Sequence, residues 1–258
     1  MSAYGKIEWS DPRFEQDNLR FLTFQSRALG GRGDVALYVP EGEDLENLPL
    51  VVLMHGVYCS HWAWAMKGGA HVTAAAMIAA GDIPPMVLAM PSDGLWAEGS
   101  AYLPHGGADY EAWIVDDVVG CVLTELPSLS ENSGVFIAGL SMGGYGALRL
   151  GAKYPDKFQG ISAHSSVTRR EDIERLITQR PLPFRLEHQD EWDINYWMNR
   201  NREILPPIRF DCGVDDALLD GNRNLHAYLE GLGIAHTYEE FAGADYLPFL
   251  VLHLGDSV

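Results

Sequence analysis

The chain has 258 residues, 36 acids against 18 bases for a net charge of −18 at pH 7, and a hydrophobic share of 47%. Acid in that excess argues against nucleic acid or an anionic membrane surface as a partner. No apolar run reaches the roughly eighteen residues of a spanning helix. Cys59, Cys121 and Cys212 are odd in number and lack CxxC spacing, which disfavours a disulfide framework or a zinc site, so neither metal nor cofactor is expected. Each is expected to be a small core residue in a reducing compartment. Met1 to Lys6 lacks the charged-then-apolar layout of a secretory signal, and the expected location is cytoplasmic.

In chain order, Leu19 to Gln25 and Asp34 to Val39, joined across Gly30 to Gly33, read as a hairpin. Leu50 to Met54 is a continuous apolar run, as in a strand buried on both faces. Met86 to Ala89 and Met90, Val135 to Ala138, Phe158 to Ala163, Ile208 to Cys212 and Thr237 to Phe241 repeat that signal. Helical patterns fall between them at Thr73 to Ala80, Tyr110 to Leu126, Gly144 to Tyr154 and Ala217 to Leu232. Strands alternating with helices predict one α/β domain over 1–258, a mostly parallel central sheet with helices on both faces. The segment 166–207 interrupts the alternation. It is charged and aromatic (Trp192, Tyr196, Trp197), and an insertion of that length is expected to be a lid or pocket wall.

The chemistry is concentrated in Gly139-Leu140-Ser141-Met142-Gly143. Strand, G-x-S-x-G, helix is the context in which a serine sits on a strained turn with its hydroxyl above the sheet, as in α/β-hydrolases. A serine hydroxyl needs a base, an orienter for that base and donors for an oxyanion. The Met142 amide is one donor by position. His55-Gly56-Val57 ends the first central strand, which makes the Val57 amide the second. His55 itself precedes the nucleophile and is expected to be a packed loop residue. The orienting acid should end the strand two steps after the serine's, where Asp215 and Asp216 stand; either could serve, and one could cap the following helix.

These residues resemble the "putative esterase" family of α/β-hydrolases, which includes S-formylglutathione hydrolase (esterase D), tributyrin and feruloyl esterases and the mycolyltransferases. The resemblance runs from Leu50 to the C-terminus. It rests on Leu53-Met54-His55-Gly56, Met90-Pro91-Ser92-Asp93-Gly94, the serine motif, Tyr154-Pro155-Asp156-Lys157-Phe158 and Cys212-Gly213-x-Asp215-Asp216. It implies a serine carboxylesterase acting on small acyl esters or thioesters, with the orienting acid at Asp216. It also implies a histidine base in a Gly-x-His motif followed by a Trp-rich helix. Here that stretch reads Gly243-Ala244-Asp245-Tyr246-Leu247-Pro248-Phe249-Leu250. Aspartate holds the base position, and with an unperturbed pKa of about 3.9 it is a far weaker base than imidazole at pH 7.

Other histidines are candidates to replace it. His164, at the carboxyl edge of the sheet, is a candidate for the pocket wall. His105 and His188 lie on segments that could approach the pocket, and His253 lies two turns beyond Asp245. His61, His71, His226 and His236 are expected on surface or helix faces. The alternative to an esterase is a protein of the same fold that has lost its base, by descent or by engineering, and binds a small ligand or partner. The apolar run Leu247 to Leu254 would suit a contact between subunits of a homo-oligomer.

Overall fold

The structure, a computed structural model, describes residues 4–43, 45–177 and 189–243. The chain opens with β1 (Ile7–Trp9), β2 (Leu19–Ser26) and β3 (Gly31–Tyr38), paired antiparallel in that order. It continues through β4 (Leu50–Met54), α1 (Ala70–Ala80) and β5 (Val87–Pro91). A two-stranded ribbon, β6 (Pro104–His105) and β7 (Ala108–Asp109), precedes a helical stretch. That stretch is α2 (Tyr110–Ala112), a π-helical segment Trp113–Val118 and α3 (Val119–Glu125). Then come β8 (Val135–Leu140), α4 (Met142–Lys153), β9 (Ile161–His164), α5 (Arg170–Leu176), the 3₁₀ turn Gln189–Trp192 and α6 (Ile194–Arg200). The described chain ends with β10 (Ile208–Gly213), α7 (Leu219–Leu232) and β11 (Thr237–Phe241).

Nine of these strands form one sheet in the order β1-β2-β3-β5-β4-β8-β9-β10-β11, parallel from β5 onward. β4 and β5 are buried at every position, and their uninterrupted apolar sequences follow from that. One face packs Val52, Met54, Ile137, Ile161 and Phe210 beneath Leu148 of α4 and Trp113. The other packs Val51, Leu53, Ala138 and Leu140 with Trp64 and Ala74 of α1. From β4 the chain passes one way to β5 and later returns on the other side as β8. Such a reversal opens a crevice at the carboxyl ends of the strands involved. Met54 and Gly139 are paired there.

The sequence-based elements differ from these mainly at their ends. Gly31 to Gly33 belong to β3, and the hairpin turns at 27–30. β9 begins at Ile161, because Pro155 to Gly160 is spent on a turn in which Lys157 N–H bonds the Tyr154 carbonyl. β1 and the β6–β7 ribbon, three and two residues per strand, are too short for alternation to show. Cys121 and Cys212 are buried as expected, whereas Cys59 is only half-buried on the loop after β4. At the two ends of the sheet, β1 is short, and β11 carries Glu239 and Glu240 paired with Arg209 (2.6 Å) and Arg223 (2.7 Å).

The serine turn fits only where two glycines let main chains touch. A Cβ on Gly139 would overlap the Gly143 carbonyl, and one on Gly143 the Met54 carbonyl. Gly231, inside α7, faces open space. Gly143→Ala is therefore expected to cost on the order of 4 kcal/mol or to prevent folding, while Gly231→Ala should add about 0.5–1 kcal/mol. Thermal unfolding of the two variants checks this; a wild-type Tm for Gly143→Ala would show that the turn does not need the close approach.

Candidate active site

Ser141 stands between β8 and α4 with φ 57° and ψ −115°, a conformation that non-glycine residues avoid. Its main chain is held on three sides. Its N–H bonds the His164 carbonyl (3.0 Å), and its carbonyl accepts from Tyr145 N–H (3.0 Å) and Val167 N–H (3.1 Å). The hydroxyl is left without a hydrogen-bond partner among the described residues and the residue is half-buried.

The loop after β4 passes directly beside it. A Cβ on Gly56 would stand 3.3 Å from Ser141 Cβ and 3.6 Å from its Oγ. The Val57 and Met142 amides have no main-chain acceptor among the described residues. Gly99 lies against both residues: a Cβ there would meet Met142 Sδ at 2.5 Å and Val57 Cγ1 at 3.4 Å. Two unengaged N–H groups flanking a strained serine are the elements from which an oxyanion site is built.

His55 fixes that loop. Its Nδ1 donates to the Gly56 carbonyl (2.7 Å) and its Nε2 accepts the Asp93 N–H (3.1 Å). The Gly56 carbonyl and the Val57 N–H belong to one planar peptide unit, so anchoring the first sets the direction of the second. Burial holds the imidazole pKa below its usual value; the nearby Asp93 carboxylate and the Gly56 carbonyl oppose that shift without cancelling it. Asp93 in turn accepts the N–H groups of Leu95 (3.0 Å) and Ser100 (2.7 Å), and the Tyr102 hydroxyl donates to the His55 carbonyl (3.0 Å). The next residue, Tyr58, has φ 61°, donates its N–H to the Glu98 carbonyl and its hydroxyl to the Leu176 carbonyl (2.9 Å each). It thus ties the loop to α5 of the insertion. Neither Asp93 nor Tyr58 stands out as a site residue in the sequence, although Asp93 lies in the Met90 to Gly94 motif and Tyr58 directly follows His55-Gly56-Val57.

Asp216 follows β10 by three residues, half-buried, with Oδ1 accepting the Leu218 N–H (2.8 Å) as in a helix-entry turn. Asp215 is exposed, and its N–H bonds the Gly243 carbonyl (3.0 Å). Asp245, His188 and His253 lie outside the described residues. His164 is not a pocket-wall residue. It is fully buried on the α1 face of the sheet, with Nδ1 on Asp211 Oδ2 (2.7 Å) and Nε2 on Ser162 Oγ (3.3 Å). The strand's pleat turns it away from the serine, because it is registered beside Leu140, whose side chain packs on that face. His105 is likewise buried, between the rings of Trp96 (4.5 Å) and Tyr110 (4.6 Å). His71, expected on the surface or a helix face, lies in α1 on its buried side.

The insertion is clamped to the serine's own helix. Arg149, in the middle of α4 and fully buried, pairs with Glu111 and donates to the carbonyls of Tyr102 (2.9 Å) and Glu191 (3.2 Å). Lys153 bridges Glu111 (2.8 Å) and Glu191 (2.6 Å), and the Tyr145 hydroxyl donates to the Trp192 carbonyl (3.0 Å). Burial alone would raise the Glu111 pKa, but Arg149, Lys153 and the Tyr154 hydroxyl together hold it below its usual value. Among the described residues no cluster of three or more His, Cys, Asp or Glu could hold a metal ion, and no helix is long and apolar enough to cross a membrane.

Residues 26–247 match the family described as "Putative esterase". An acetyl esterase of Caldicellulosiruptor saccharolyticus is 29% identical over 222 residues, covering 78% of each chain. Among solved structures, the fluorophosphonate-binding serine hydrolase F of Staphylococcus aureus superposes with a TM-score of 0.78 at 20% identity, over 92% of this chain and 95% of that one. An S-formylglutathione hydrolase from the same organism gives 0.72 at 18% identity, over 98% and 97%. At such identities the likeness is one of fold, and that fold is the α/β-hydrolase sheet.

The arrangement of His55 makes a pH dependence testable. A histidine whose folded pKa is depressed binds fewer protons in the native than in the unfolded state, so native stability falls as pH drops below the unfolded value of about 6.5. His55→Asn should lower Tm at pH 7.5, through the lost Asp93 bond, yet show a flatter decline of Tm between about pH 6.5 and 5. Parallel Tm–pH curves for the two proteins would show that His55 does not contribute to the acid sensitivity.

Proposed function

Because the chain belongs to the esterase family of α/β-hydrolases, we propose that it is a serine carboxylesterase acting on small acyl esters or thioesters through an acylated Ser141. The observation that carries the reading is the strained Ser141 turn beside Gly56-Val57, with the hydroxyl and both neighbouring amides unengaged among the described residues. Ser141 Oγ attacks the carbonyl carbon, and the Val57 and Met142 amides receive the charge that develops on the carbonyl oxygen. The C–O or C–S bond then breaks, and the alcohol or thiol leaves carrying a proton that balances the one lost by the serine. Water completes the cycle by releasing the acid. The described parts of the insertion, α5 and residues 189–200, supply a wall of the acyl site, held by Tyr58 and Arg149. The acetyl esterase among its relatives favours a short acyl group.

Asp216 is the proposed orienter and the 245 position the place of the base. Aspartate there accepts a proton poorly at pH 7. His55 and His164 do not compensate, since each has both ring nitrogens committed elsewhere. We therefore assign a slow esterase, in which binding and the oxyanion donors act without an efficient proton acceptor. The same engagement of the histidines supports the second reading, a binding protein with an esterase's pocket.

Hydrolysis of p-nitrophenyl acetate at pH 7 separates the two. A slow turnover that vanishes in Ser141→Ala and rises by roughly a hundredfold or more in Asp245→His fits the esterase reading. A rate equal in wild type and Ser141→Ala would leave only the binding reading.

A further inference from the structure

On the α1 face of the sheet, beneath the serine turn, β9 and β10 replace apolar side chains by Ser162, His164, Arg209 and Asp211, all buried. His164 and Asp211 are paired neighbours across these strands, and a buried His–carboxylate pair is costly to desolvate, so a purely packing role would be better filled by apolar residues. What the pair holds is the segment 164–167, and that segment holds Ser141.

Two of the three hydrogen bonds that fix the Ser141 main chain come from it, at the His164 carbonyl and the Val167 N–H. The segment is itself strained, with Ser165 at φ 39°. Asp211 grips it twice: its carboxylate takes His164 Nδ1 (2.7 Å), and its carbonyl accepts the Ser165 N–H (2.9 Å). Ser162 Oγ closes the other side of the ring at Nε2 (3.3 Å), and Asn222 Nδ2 donates to the Ser166 carbonyl (2.9 Å). A Cβ on Gly144, one turn into α4, would overlap Ser166 Oγ, so segment and helix are in contact.

We propose that His164 and Asp211 are positioning residues for the nucleophile. Their side-chain bond fixes the strained 164–167 segment, which keeps Ser141 in register with the Val57 and Met142 amides. Neither side chain touches substrate. The proposal rests on the reading of Ser141 as the nucleophile, and its test is built so that the two can fail separately.

The probe is an alkyl fluorophosphonate, which forms an Oγ–P bond as the P–F bond breaks, with fluoride leaving and the hydroxyl proton passing to buffer. The labelling rate constant is read by intact mass, alongside Tm. Replacing both partners, in His164→Leu/Asp211→Leu, leaves no unpaired buried charge and should preserve or raise Tm. Labelling should nevertheless slow by about tenfold to a hundredfold, the scale of a displacement of about 1 Å at a reacting group. His164→Asn places an amide donor near the position of Nδ1 and should label within about threefold of wild type, which a role in packing alone would not produce. Wild-type labelling by the double variant overturns the proposal. If that variant does not fold, Asp211→Asn keeps the shape and weakens the bond. A rate loss at unchanged Tm then supports the proposal, and a wild-type rate overturns it. No labelling of the wild type, or equal labelling of Ser141→Ala, refutes the nucleophile reading instead.

Discussion

A serine with φ 57° and ψ −115° is not a conformation that a chain segment adopts unaided. Holding a residue in such a region costs of order 1–3 kcal/mol and persists only where the surroundings over-determine it. Much of the molecule can be understood as that over-determination. β8 and β4 bring Gly139 and Gly143 against main chain that no larger residue could meet. Three hydrogen bonds, none of them from a side chain, lock the Ser141 peptide units. The loop after β4 is then held within reach by His55, through a carbonyl that shares its peptide plane with the Val57 amide. Strain at one residue and order in two neighbouring loops are one requirement seen from two sides.

The same helix that begins at the serine carries the most buried charge among the described residues. Arg149 lies one and a half to two turns from the start of α4 and reaches Glu111, Tyr102 and Glu191 from three different parts of the chain. Breaking such a pair by removing one partner costs on the order of 3–5 kcal/mol, far more than the pair contributes over an apolar substitute. Its value lies in specifying where the insertion sits. The guanidinium accepts only a planar arrangement of acceptors, so the 3₁₀ turn Gln189–Trp192 is set against α4 at a defined height.

The parts of this molecule legible in the sequence were those that depend on neighbours along the chain. The buried strands β4 and β5 show as unbroken apolar runs, and the serine turn shows as glycines at fixed spacing. What sequence could not give was pairing across the sheet. His164 was correctly placed at the carboxyl edge, but which face it takes depends on its register beside Leu140, and one residue of slip would reverse it. Its partner Asp211 lies on a separate strand, 47 residues away. Arg149 read as one basic residue in an apolar helix because its acceptors, Glu111 and Glu191, are 38 and 42 residues distant. Asp93 sits inside a recognised motif and Tyr58 next to one, yet what they bind is main chain, which leaves no trace in side-chain pattern.

The strand order carries a consequence for how the chain acquires its native state. β4 and β8 are adjacent in the sheet although three strands and five helical segments separate them in the chain, and β3 pairs with β5 around β4. Contacts of that kind form only after large loops have closed, and parallel pairings of distant strands are intrinsically slow. Met54 meets Gly139 in such a pairing. The close approach at Gly143 needs β4 as well as α4, and the hydrogen bonds to Ser141 need β9. The serine turn is therefore a late product of assembly. A chain emerging from synthesis, or one partly unfolded, carries the serine as an ordinary hydroxyl in a relaxed backbone, so the strained turn marks completion of the sheet.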